Sequence, residues 1–176
     1  MGYFVINIIA IIIHSTIMKK KFTFIAGLIA AVVLPASALA ATVATEGFEG
    51  SDLSSWSSVG TNWVLDTTEK HTGNSSLKVT GTISEASSVT KSISTLGFTN
   101  IGINFWYMAA AGLTDLPEPN DEVFVEYSLD DGVTWVRVKT IDESSADGVW
   151  YSNLPNHPIT LPAAADNKTD ILIRFS

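Results

Sequence analysis

Three carboxylates, Glu46, Glu49 and Asp66, offer the hard oxygen donors that calcium takes. They are a partial set at best, because calcium gathers about six to eight oxygens. Solvated strand-end carboxylates are the equally simple reading of the same residues. Five tryptophans are the second chemical resource. Trp56, Trp63 and Trp150 lie beside loop-forming residues, where an exposed ring stacks on a sugar. Trp106 and Trp135 read as core and turn cover, since tryptophan is mostly buried even where nothing binds. His71 and His157 are far apart and lack a partner motif, so both read as surface residues. Neither H-E-x-x-H nor G-x-S-x-G occurs, which removes the common signatures of zinc proteases and serine hydrolases. Two separated acids are brought together only by a fold, and the acids here cluster in loops and turns. The sequence therefore reads as non-catalytic.

The element that organises these residues is the stretch from Asp121 to Val138, DEVFVEYSLDDGVTWVRV. Val123, Val125 and Tyr127 alternate with Phe124 and Glu126, which is the period of a strand. A second run, Thr134–Val138, follows Leu129-Asp130-Asp131-Gly132. Gly takes positive φ freely and Asp accepts hydrogen bonds from turn amides, so a β-hairpin is expected. Further short strands are expected at Thr42–Glu49, Trp63–Asp66, Leu77–Thr80, Ser88–Ile93, from Val149, at Ile159–Leu161 and at Asp170–Phe175. Ile101–Met108 is apolar on both faces and is expected to be the central strand. Leu113–Asn120, with two prolines, reads as a loop. No helical period occurs beyond the N-terminal region. The fold class is all-β, an antiparallel sandwich in one domain.

The first forty residues are of another kind. Met18-Lys19-Lys20-Lys21, an apolar run from Phe22 to Leu34 and small residues at Ala38 and Ala40 form a secretory signal peptide over 18–40. Its apolar run of 13 residues is too short to span a bilayer comfortably. Residues 1–17 read as an extension upstream of a true start at Met18; an uncleaved anchor from Tyr3 through the lysines is the alternative. Either way the protein is exported, to the cell surface or the medium; cleavage of the signal peptide would leave no membrane segment. The mature part, 41–176, keeps seven Lys and Arg against eighteen Asp and Glu, a net charge of −11. Nucleic acid is a poor partner for such a surface. There is no cysteine, so neither disulfides nor thiol catalysis enter.

Two resemblances follow from these residues. Ser128-x-Asp130-x-Gly132-x-x-Trp135 resembles the Asp-box hairpin of sialidase propellers and reelin-type repeats, where the box is structural. It occurs once here, against the several copies a propeller requires. Phe48-Glu49, Trp56, Trp63, His71-Thr72-Gly73 and Phe105-Trp106-Tyr107-Met108 resemble the MAM domains of meprins, neuropilins and receptor phosphatases. The Gly73-Asn74-Ser75-Ser76-Leu77-Lys78-Val79 segment is also similar to bacterial carbohydrate-binding jelly rolls. The MAM cysteines are absent, as is the E-x-D-x-x-E motif of concanavalin A-like glucanases. The resemblance implies a jelly roll, incomplete at its C-terminal end, that serves as an adhesion or binding module for a glycan or protein surface. A carbohydrate-binding module of a secreted hydrolase and a spacer in a larger surface protein are the alternatives. It also implies calcium near the first strand, for which Glu46, Glu49 and Asp66 are the donors at hand.

Overall fold

The computed structural model describes residues 3–7, 43–57, 59–80, 87–109, 122–142, 148–152 and 159–176. The expected signal peptide, the loop Leu113–Asn120 and His157 lie outside these. Among the described residues, eleven short strands make an all-β, antiparallel sandwich. They are β1 (Tyr3–Asn7), β2 (Trp63–Asp66), β3 (Ser76–Thr80), β4 (Val89–Ile93), β5 (Gly102–Ile103) and β6 (Trp106–Ala109). The remainder are β7 (Val123–Ser128), β8 (Val136–Ile141), β9 (Tyr151–Ser152), β10 (Ile159–Thr160) and β11 (Ile171–Phe175). One sheet runs β2-β3-β1-β6-β9, the other β4-β11-β7-β8, and β10 pairs with β5 as a two-stranded ladder.

The period of two decides which residues meet between the sheets. Leu77, Val79, Tyr107 and Ala109 come from the first sheet, and Val125, Ile173 and Phe175 from the second. The Phe175 ring meets Phe105 edge-on at 5.8 Å and Trp56 at 6.2 Å, so three distant parts of the chain converge there. Aromatic contacts of this geometry add to the area they remove from water.

The hairpin β7–β8 forms as its alternation predicts, with β8 reaching Ile141 and a register shift between Val125 and Glu126. Two expectations are corrected. Ile101–Met108 is not one central strand. It splits into β5 and β6, which pair with different partners, around Asn104 and Phe105. Its apolar residues lie on both faces because the segment passes through the core: Ile101, Ile103 and Phe105 are all buried. Asn104 is also buried, and its side-chain amide has no hydrogen-bond partner among the described residues, where a continuous ladder would favour a β-branched residue. The second correction concerns Thr42–Glu49. From residue 43 onward this stretch is irregular apart from an isolated bridge at Ala44, and Phe48 sits at φ 57°. The outer position is taken instead by β4, with β11 at its side.

Candidate functional site

The three carboxylates proposed as calcium donors are each engaged elsewhere. Glu46 accepts from the Phe48 N–H at 2.9 Å, from Trp56 Nε1 at 3.2 Å and from Lys91 Nζ at 2.8 Å. Lys91 belongs to β4, level with the core residue Ile173. Its stem follows the apolar edge while its ammonium reaches outward over the Trp56 ring, 5.4 Å from the centroid. Burial raises the Glu46 pKa, but Lys91 and the Phe48 and Trp56 N–H groups more than offset it, leaving the carboxyl below its ordinary value of 4.5. Asp66 accepts from the Thr68 N–H at 2.7 Å and pairs with Lys78 at 2.8 Å.

Glu49 has a different task. Its carboxylate accepts from the Asn74 N–H and from Asn74 Nδ2 at 2.7 Å, pinning the turn His71-Thr72-Gly73-Asn74 against the segment before Trp56. Gly73 is at φ +73°, and a Cβ there would stand 1.9 Å from Glu49 Oε1. Only glycine meets both the backbone and the space requirement. Among the described residues, no group of three or more His, Asp or Glu side chains is placed to hold a metal. The proposed set does not fit calcium as arranged, because two of its members already face a cation and all three are separately hydrogen-bonded.

The hairpin turn is built by the residues of the S-x-D-x-G-x-x-W pattern. Ser128 Oγ donates to Asp130 Oδ1 at 2.8 Å and accepts from the Gly132 N–H at 2.9 Å. Asp130 accepts from the Thr134 N–H at 2.9 Å and from Thr134 Oγ1 at 2.7 Å. These bonds hold the Asp130 carboxyl below its ordinary value, Thr134 contributing most. Asp131 and Gly132 both take positive φ, as a tight reversal requires. Trp135 lies over Gly132, and the Arg174 guanidinium covers the Trp135 ring at 4.0 Å. All four residues act on the turn itself.

The tryptophans divide differently from the sequence expectation. Trp56 and Trp63 are only 6% and 3% exposed. Trp56 stacks on Phe48 at 5.6 Å and closes the core beside β4, while Trp63 opposes Val79 in the β2–β3 ladder. Neither offers the open face that sugar stacking needs. Trp150 is half-buried. Trp106, expected in the core, is half-buried as well. Alternation along β6 sends Tyr107 and Ala109 into the core and Trp106 to the opposite face. There the His71 imidazole lies flat on Trp106, centroids 3.8 Å apart and planes 15° apart. Trp150 meets His71 edge-on at 5.5 Å.

Three parts of the chain thus build one aromatic group on the outside of the first sheet. The turn pinned by Glu49 carries His71, β6 carries Trp106, and the approach to β9 carries Trp150. Tyr151 (37% exposed) belongs to the other face of β9, stacked on its ladder partner Tyr107 at 5.9 Å. Burial lowers the His71 pKa below its ordinary value, which favours the neutral ring. Such a surface suits the apolar face of a sugar ring or an apolar protein side chain. Trp106 and His71 escaped the sequence reading because four consecutive large residues, Phe105 to Met108, give no sign of which face is outward. Comparison of the chain with protein families, with curated proteins and with solved structures finds no match to any of the three.

Proposed function

We propose that this chain is a non-catalytic binding module of an exported protein, with the His71–Trp106–Trp150 group as its contact surface for a glycan. The observation that carries this reading is the stacked pair with Trp150 across its edge, turned away from the core. Support also comes from the sequence: an N-terminal signal, a net charge of −11 after residue 40, and the resemblance to MAM-like and carbohydrate-binding jelly rolls. The absence of a match to known proteins leaves the sugar to be found by screening.

The test is a glycan array on the purified protein, followed by calorimetry on any hit. Trp150→Ala and Trp106→Ala should each weaken binding about ten-fold, equivalent to ~1.4 kcal/mol of lost aromatic contact. Trp63→Phe, on the core side, should keep the affinity. Binding that survives both outer-face substitutions, or an array with no specific signal, would sink the glycan reading.

A further inference from the structure

The strand β1 lies between β3 and β6 and is antiparallel to both. Its register covers four residue pairs on each side, from Tyr3↔Thr80 to Ile6↔Leu77 and from Phe4↔Ala109 to Asn7↔Trp106. The two flanking strands run parallel to each other and, among the described residues, are held together in this sheet only through β1. With strands about 4.8 Å apart, β3 and β6 stand roughly 10 Å from one another, too far to pair directly.

Residues 3–7 also precede the lysines and the apolar run of the signal peptide. A signal inserts with its basic end on the side where the protein is made, and the segment beyond the cleavage site crosses. Residues before Lys19 then stay behind when residues after Ala40 are exported. A molecule exported and cleaved after Ala40 cannot keep Tyr3–Asn7 in its sheet.

We infer that in the exported protein the place between β3 and β6 is a docking site for an extended strand of another polypeptide. This rests on the export reading above. Left open, the site would present two rows of inward-facing backbone N–H and C=O groups, which is costly and invites strand addition. The register specifies the occupant. It runs antiparallel to both neighbours, and two of its residues, two apart, fall level with Val79 and Ala109 and with Leu77 and Tyr107, all buried. Those two residues are apolar. Of the alternate positions, the middle one falls level with half-buried Lys78 and buried Met108, and the last with Trp106.

The experiment expresses the full-length gene with its own leader and determines the N-terminus of the exported product by mass spectrometry. That product is titrated with a fluorescent peptide containing Tyr3–Asn7 between solubilising lysines, and with the same peptide carrying Val5→Pro. A second preparation, the unexported full chain with a protease site placed among residues 9–17, is tested before and after cutting. The expected results are a start at Ala41, one peptide bound per molecule, and at least about ten-fold weaker binding of the proline peptide, which lacks a ladder N–H. The uncut full chain should bind little peptide, and the cut chain should exchange its own strand for it. A product starting at Ala41 that ignores the peptide, or takes the proline form equally well, overturns the docking site and leaves export standing. A concentration-dependent dimer of that product that excludes the peptide overturns it in favour of a second copy. An exported product that retains residues 3–7 overturns cleavage after Ala40, and the docking site with it.

Discussion

Glu46 shows how a single residue's neighbours decide its chemistry. In the sequence it reads as a candidate calcium donor; in the fold it is the counter-ion of Lys91 and the acceptor for the Trp56 indole. The charged form is what these partners hold, which is why its pKa lies below 4.5 despite burial. The sign of the linkage follows. A carboxyl whose pKa falls on folding adds stability that is fully present above its unfolded value and is lost as pH drops through the folded one. Asp66 and Asp130 are shifted in the same direction from 3.8. Urea midpoints measured down the acid range should therefore fall as pH drops below about 4.5. Glu46→Gln should lower stability at pH 7 by about 1–3 kcal/mol, the worth of charge-assisted hydrogen bonds, and should flatten the acid limb. An unchanged pH profile in that variant would show that Lys91 and Trp56 do not favour the ionised form.

The strands carry a charged ladder on the face of the second sheet opposite the core. Arg174 of β11 stands beside Glu126 of β7, and Arg137 of β8 stands on its other side. Arg174 donates to Glu126 Oε2 through Nε at 2.8 Å and through Nη2 at 2.5 Å, and Ser176 Oγ donates to the same oxygen at 2.9 Å. Glu126 is 7% exposed, so removing its partners or its charge leaves an uncompensated ion. Glu126→Ala should cost about 3 kcal/mol, and replacing Glu126 and Arg174 together by apolar residues should cost much less. Chemical denaturation of the single and double variants gives the comparison. Because Arg174 also covers Trp135, Trp135 fluorescence should respond to both. Elements of this kind were legible where alternation and turn residues agreed: β2, β3, β4, β7 and β11 fall within a residue or two of expectation. The break at Asn104 was not legible, since a segment crossing the core is apolar on both faces just as a central strand is. Nor was the irregular path of residues 43–49, where hydrogen bonds to Glu46 and the positive φ of Phe48 replace a ladder that β-branched residues would otherwise favour. Pairing between β1 and its neighbours was out of reach, because residues 1–17 read as an extension upstream of the true start at Met18.

At the scale of the whole molecule, β11 ties together parts of the chain that are far apart in sequence. β11 is the partner of both β4 and β7, and Phe175 points from it into the centre, against Phe105 and Trp56. Its neighbour Ser176 exchanges two backbone hydrogen bonds with Phe124, at 2.8 and 3.1 Å. The strands on either side of β11 lie far back in the chain, so this pairing spends loop entropy before it gains contacts. Folding should be slow for a domain of this size, in the millisecond-to-second range of sandwiches whose pairings are non-local. Phe175→Ala should remove about 3–5 kcal/mol, a large part of the roughly 5–15 kcal/mol that holds a domain together. Phe175→Leu, which keeps most of the volume, should cost clearly less. Urea unfolding followed by tryptophan emission measures both, with Trp56 reporting from the same cluster. A Phe175→Ala protein as stable as the parent would mean that the two sheets do not depend on this contact, and that the sandwich is held together elsewhere.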